Sequence, residues 1–145
     1  MRIWTLPISQ SPTGYPSKSN PVVSDSLTLA TNCAKHANEI QAERIEVLDL
    51  RGISSLADFF VICSATSLPH LKAVSRDVRH NTQEETGESP RSAEGEASSL
   101  WLVLDYVDVV VHIFHEEKRD FYALEDLWAD APRAELGFLA GDVSE

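Results

Sequence analysis

The residues that could do chemistry crowd into one stretch, Trp101 to Trp128, WLVLDYVDVVVHIFHEEKRDFYALEDLW, which holds more than half of the chain's aromatic residues and its densest aliphatic alternation. His112, His115 and Glu116 suggest a metal site, but residues three apart on a strand point to opposite faces and the helical HExxH spacing is absent. Asp105 and Asp108 are spaced as a carboxylate pair in which like charges would raise a pKa; hairpin turns are commonly flanked by Asp for backbone bonding, and the turn role is favoured. No Gly-rich phosphate loop, GxSxG elbow or CxxC occurs, and no nucleophile has an identifiable base. These gaps argue against an enzyme, and no cofactor is expected. Recognition is what remains. Trp101, His112, Phe114 and Tyr122 read as a protein-docking patch, set against the alternative that a helix covers this sheet face and the aromatics are ordinary core. His112 is expected to be hydrogen-bonded and half-buried rather than a switch or a ligand.

These side chains need a hairpin and a helix to place them. Leu100 to Asp105 and Asp108 to Phe114 are two strand-like runs separated by Tyr106 and Val107, which suits a two-residue connection. That spacing pairs Asp105 with Asp108, Val103 with Val110 and Trp101 with His112. Alternation then puts Leu100, Leu102, Leu104, Val109, Val111 and Ile113 on a core face, and Trp101, Val103, Asp105, Asp108, Val110, His112 and Phe114 on a mixed one. A helix is expected from Glu116 to about Trp128, its first-turn acids suiting the helix dipole. Phe121, Leu124, Leu127 and Trp128 share its inward stripe, while Tyr122 lies about 100° from Phe121 and faces outward.

The elements upstream complete an α/β domain. Ser24 or Ser26 can cap a helix to about Ala42 with a thin stripe of Leu27, Ala30, Cys33, Ala34, Ala37 and Ile40, suited to close packing on a sheet. Arg44 to Leu50 alternates as a strand, Ile45 and Val47 on one face and Leu48 and Leu50 on the other. Phe59 to Cys63, five apolar residues in a row, reads as a central strand covered on both sides. Thr66 or Ser67, with Pro69 in the first turn, starts a helix carrying Leu71, Val74 and Val78 inward to about Glu84. Its charged residues look like a solvated face. Thr86 to Pro90 is a turn, and Arg91 to Glu94 a short edge strand that leads through Gly95 into the hairpin. The expectation is a single α/β domain with a mixed sheet of about five strands packed with helices, in αββαβββα order.

Composition bounds the rest. Residues 1–24 hold no Asp or Glu, only Arg2 and Lys18 as cations, and Pro7, Pro12, Pro16 and Pro21. They read as a disordered leader or the product of a start codon placed too early; as a transit peptide they would make a poor amphipathic helix. Residues 25–132 form the domain and 133–145 a tail, in which Leu136, Phe138 and Leu139 are candidates for loose docking. Cys33 and Cys63 read as small buried hydrophobes in a reducing compartment. The chain has no apolar run of about eighteen residues, as a membrane span would need. Twelve cations against twenty-three carboxylates, net −11, would repel a phosphate backbone over most of the surface and favour a basic protein partner.

Three blocks carry a family likeness. SSLADFFVICSATS (54–67), WLVLDYVDVVVHIF (101–114) and RDFYALEDLW (119–128) closely resemble the ribosomal silencing factor family, also called Iojap-related proteins, over about residues 25–132. The resemblance implies a compact α/β domain and a non-enzymatic, cytoplasmic translation repressor. Such proteins bind the large ribosomal subunit chiefly through ribosomal protein L-fourteen, obstruct joining of the small subunit, and damp translation when nutrients are scarce. The family's characteristic positions fall on Trp101, Asp105, Asp108, His112, Arg119, Tyr122, Leu124, Glu125 and Trp128. Combined with the predicted faces, they give Trp101, Val110, His112, Phe114, Arg119 and Tyr122 as the expected partner contacts, with little direct nucleic-acid contact.

Four positions depart from the family pattern. Ala65 and Ser99 stand where glycines are frequent, and Glu116 replaces a proline at a helix start. Val107 stands where DYGD is common, and a β-branched residue there either widens the turn or carries strain of about 1–3 kcal/mol. Two other functions are weighed. The fold implied resembles that of nucleotidyltransferases, which would require a metal-binding carboxylate pair beside a glycine-serine loop; and the same aromatic face could serve a self-associating adaptor, a homodimer off the ribosome.

Overall fold

A computed structural model describes residues 25–95 and 97–138; the expected leader, 1–24, and Leu139 with the rest of the tail lie outside the described residues. The chain folds as α1 (Ser26–Glu39), β1 (Glu43–Asp49), β2 (Phe59–Ala65), α2 (Leu68–Thr86), β3 (Ser92–Glu94), β4 (Trp101–Asp105), β5 (Val109–His115), α3 (Glu116–Tyr122) and α4 (Leu124–Leu127). The five strands form one sheet in the order β1-β2-β5-β4-β3. It is mixed: β2 runs parallel to β5, and every other pair is antiparallel. The α/β class, strand number and element order match the expectation, with the last helix divided in two.

Alternation sorts the sheet into two faces. Val47, Phe59, Val61, Cys63, Val109, Val111 and Ile113 are buried under α1 and α2. On the other face Leu48, Leu50, Phe60, Ile62, Val110 and Phe114 form a second core, against which Trp101, Val103, Leu124 and Trp128 are partly buried. β2 is buried along its whole length, as its unbroken apolar run requires of a central strand. α1 reaches the sheet through Ala30, Cys33, Ala34 and Ala37, all fully buried, and these small side chains allow the close approach. Its N-cap is Asp25, which accepts from the Thr28 amide, rather than Ser26; Ser24 lies outside the described residues. The helix ends at Glu39 instead of Ala42, and Leu29 takes the inward place expected of Leu27, which is exposed. Cys33 and Cys63 are free buried thiols whose pKa desolvation pushes up to about 12.

α2 follows the expected signals: Ser67 caps it, Pro69 sits in its first turn, and Gly87 ends it at φ 81°. β3 is the short edge strand expected, and past it Gly95, at φ 94°, crosses the Trp101 carbonyl where no β-carbon fits. The opposite edge of the sheet is covered by the start of the expected tail. The Asp49 amide donates to the Pro132 carbonyl and the Ala134 amide to the Val47 carbonyl, both at 2.8 Å. Leu136 is then buried and Phe138 packs against the first core.

The hairpin register differs from the expected one by two residues. Trp101 stands opposite Phe114, Val103 opposite His112 and Asp105 opposite Val110. The Tyr106 amide donates to the Val109 carbonyl, so the turn centres on Val107 and Asp108 rather than on Tyr106 and Val107. Asp105 opposes Val110 rather than Asp108, and its Oδ1 accepts from the Val107 amide at 2.7 Å, the turn role favoured for it. The Asp108 amide donates to the Tyr106 carbonyl across Val107 at φ 81°, the pattern of a strained γ-turn. The turn stays tight and Val107 carries the strain. A shift of two residues preserves side-chain direction, so both hairpin faces are the expected ones.

The last helix departs most. Ala123 adopts a left-handed conformation, φ 45° and ψ 47°, which splits the expected Glu116–Trp128 helix. Phe121 and Leu127, expected in the core, are 71% and 73% exposed, whereas Leu124 and Trp128 do pack inward. The inward residue of α3 is Arg119, fully buried; its Nε donates to Glu125 Oε2 at 2.9 Å and its Nη1 to Ser64 Oγ at 2.7 Å.

Replacing Arg119 by Met should lower the free energy of unfolding in urea by about 3 kcal/mol, because Glu125 loses its buried partner. Adding Glu125→Leu should recover part of the loss; a single substitution costing under about 1 kcal/mol would remove the pair as the anchor of α3. Val107→Gly should stabilise the chain by about 1 kcal/mol, relief of positive φ outweighing glycine's added unfolded-state freedom, and a lowered denaturation midpoint would contradict that strain.

Candidate docking surface

The hairpin's mixed face, α3 and α4 bring the aromatic residues together. Trp101 and Phe114, opposite one another on β4 and β5, stack with ring centroids 5.0 Å apart. Tyr122, in the last residue of α3, leans on Trp101 at 4.6 Å and on Phe114 at 5.7 Å, and Phe121 meets Tyr122 edge-on at 5.0 Å. Lys118 holds its ammonium 4.8 Å over the Phe121 ring. On the other side Phe60 links His112, at 4.6 Å, to Trp128, at 6.0 Å. The rings thus form one connected array from Trp128 across the sheet to Phe121, covered by helix only in part.

Depth divides the expected contacts. Trp101 is partly exposed and Tyr122 is 39% exposed, so both present ring surface to solvent. Val110, His112 and Phe114 are buried beneath them, and Arg119 is closed off altogether. Arg119 ties α3 to Ser64 and Glu125, and the three hairpin residues lie beneath Trp101 and Tyr122. Phe121 and Leu127 are the surface groups that sequence reasoning missed. No glycine, asparagine or proline marks the reversal at Ala123, so the helical wheel ran on unbroken and turned both inward.

His112 sits between Phe60 and Trp101, and the Trp101 indole N–H donates to its Nδ1 at 3.3 Å. An Nδ1 that accepts is unprotonated, so the ring is neutral with its proton on Nε2. Burial pushes the His112 pKa down to about 3. His115 has a separate job: its Nδ1 accepts from the Glu117 amide at 3.0 Å and caps α3. The two histidines are thus each committed to a structural contact. Carboxylates border the aromatic array, Glu116 and Glu117 in the first turn of α3 and Asp120 and Asp126 beyond, with Asp120 paired to Arg44 at 3.1 Å. Beside the array, Ile53, Asp126, Leu127, Trp128 and Asp130 line a shallow groove of about 300 Å³ with apolar and acidic walls.

This arrangement suits protein recognition: rigid aromatic rings backed by a packed sheet, an uncharged support beneath, and an acidic rim. Comparison with known proteins places it in a family. The sequence profile described as "Ribosomal silencing factor during starvation" matches residues 23–144. The ribosomal silencing factor of Bacillus subtilis is 40% identical over 105 residues, 72% of this chain and 88% of that protein. That of Halalkalibacterium halodurans is 40% identical over 110 residues, 76% of this chain and 91% of that protein. In three dimensions, a crystal structure of a Chromobacterium violaceum protein superposes with a TM-score of 0.68 at 26% identity, covering 73% of this chain and 88% of that one. With the family profile matched over residues 23–144 and two relatives 40% identical over most of their length, the chain belongs to the ribosomal silencing factor family.

Proposed function

We propose that this protein silences ribosomes by docking on the large subunit, chiefly on ribosomal protein L-fourteen, so that its bulk keeps the small subunit from joining. It acts in the cytoplasm by occlusion and needs no chemistry of its own. The observation that carries this reading is the Trp101–Tyr122 contact at 4.6 Å on an incompletely covered sheet face, extended by the 71% exposed Phe121. Membership of the family supplies the ribosome as the target. The acidic rim favours a basic protein over ribosomal RNA at this face, since carboxylates repel phosphates. No helix among the described residues is long and apolar enough to cross a membrane.

Affinity in such an interface resides in a few desolvated anchors. Tyr122→Ala and Trp101→Ala should each weaken co-sedimentation with isolated large subunits by about 2 kcal/mol, roughly 30-fold. Phe121→Ala makes a cleaner probe, because its exposed ring has little part in folding. Wild-type protein that stays in the supernatant, or a Phe121→Ala/Tyr122→Ala double variant that sediments unchanged, would sink the proposal.

The patch also has a pH window. With the His112 pKa lowered to about 3, its contribution to stability is complete above the ordinary histidine value near 6.5 and is lost as pH falls from there toward 3. Between pH 6.5 and 5 the slope should approach about 1.4 kcal/mol per pH unit, the unfolded chain taking up a proton that the folded one refuses. Asp25, Asp49 and Glu85, with pKa values lowered by their hydrogen-bond partners, add their losses only at lower pH. His112→Phe should flatten the stability profile in that upper window; an unchanged slope would mean that His112 is charged in the folded protein.

A further inference from the structure

The helical side of the molecule carries a surface of opposite character. Arg76, Arg79, His80 and Gln83 project from one face of α2 and, with Ser89 and Pro90 from the segment before β3, line a recess of about 360 Å³. Their spacing of three, four and seven residues sets the four helical side chains in one row. Every polar side chain in the lining carries an N–H or O–H donor and none is a carboxylate. In a chain with twenty-three carboxylates and twelve cations, that concentration of donors is the exception.

Little inside the fold uses these groups. The two arginines, His80, Gln83 and Ser89 are all exposed, while α2 is held to the core by Leu71, Val74, Val78 and Thr82 on its other side. Arg76 Nε lies 3.2 Å from Asp77 Oδ1, an exposed pair that occupies one edge of the guanidinium. Arg79 makes no ion pair among the described residues. The glutamate of this helix that is most engaged, Glu85, turns the other way, toward Asn32, Lys35 and His36 of α1.

We propose that this recess is a binding site for a phosphate group. Two planar guanidiniums match phosphate oxygens with paired N–H donors, and His80, Gln83 and Ser89 can complete the shell. The ring in the lining is the His80 imidazole, and with two guanidiniums beside it the recess offers mainly cationic N–H donors, which favours a phosphate as the group recognised. One ligand chemistry has two sources here, the backbone of an RNA strand or a small phosphorylated molecule. The site lies on the sheet face away from Trp101 and Tyr122, so it stands or falls independently of the docking reading.

Calorimetric titration of the full chain at low salt with sodium pyrophosphate, and separately with a single-stranded oligouridylate, tests the site. The Arg76→Gln/Arg79→Gln variant should weaken binding of at least one probe tenfold or more without moving the denaturation midpoint, and Arg51→Gln, a cation elsewhere on the surface, should leave it within twofold. Oligouridylate binding tighter than pyrophosphate, and falling steeply with salt, supports the RNA backbone as the source. Pyrophosphate binding as tight or tighter supports a small phosphorylated molecule. Failure of both probes at millimolar concentration, binding that survives the double variant, or an equal loss in Arg51→Gln overturns the proposal.

Discussion

The buried guanidinium of Arg119 fixes the geometry on which the aromatic face depends. α3 spans only Glu116–Tyr122, too short to be stable as a helix in isolation. Arg119 ties it to Ser64 at the end of β2 and to Glu125 beyond the kink. A continuous helix would put residues six apart about 240° round and about 9 Å along the axis, out of reach of one another. The left-handed turn at Ala123 brings Glu125 back over Arg119. The ion pair and the kink therefore require one another. Together they lay Tyr122 on Trp101, turn Phe121 and Leu127 outward and bring Leu124 and Trp128 in against Phe60.

The hairpin contributes a second constraint through parity. Side chains alternate with period two, so a register shift of two residues changes every cross-strand partner and no face. Trp101 exchanges His112 for Phe114 as its direct neighbour and keeps His112 as a diagonal one, close enough for the indole N–H to reach Nδ1. The direct partner gives a broad stacked contact, while the diagonal one satisfies a buried nitrogen. The cost is concentrated at Val107, whose positive φ lets the turn remain tight. A glycine at that position would adopt the same φ without strain.

The architecture was legible in the sequence wherever a periodic pattern met a single solvent boundary. The unbroken run Phe59–Cys63, the alternation of Ile45 to Leu50 and the aliphatic hairpin face each assign a strand and its direction without tertiary information, and the structure agrees with all three. The aromatic face was less legible because depth, unlike direction, depends on what lies above. Trp101, Val110, His112 and Phe114 share a face, and the packing of Phe60, Tyr122, Leu124 and Trp128 around them decides that Trp101 reaches solvent while the others do not. The pairing of Arg119 with Glu125 gave no signal because six is not a helical contact spacing. The pairing of residues 132–134 with β1 was equally hidden, since an edge strand can take a partner of nearly any composition through its backbone.

Net charge gave a correct average and concealed its distribution. Around the aromatic array the carboxylates of Glu116, Glu117, Asp120, Asp126 and Asp130 face few cations, and Arg119 spends its charge internally on Glu125. On the helical face, α2 gathers Arg76, Arg79 and His80 beside a recess with no acid in its lining. A helix about 10 Å across and the sheet beneath it separate the two surfaces. Both surfaces face solvent, and the solvent path between them is longer than the screening length of about 8 Å at physiological ionic strength, so the acidic rim does not cancel the basic recess. A partner approaching either side meets the local charge rather than the sum of −11. An acidic chain of this kind can accordingly repel phosphate at one face and attract it at the other, which a net charge read from composition has no means of expressing.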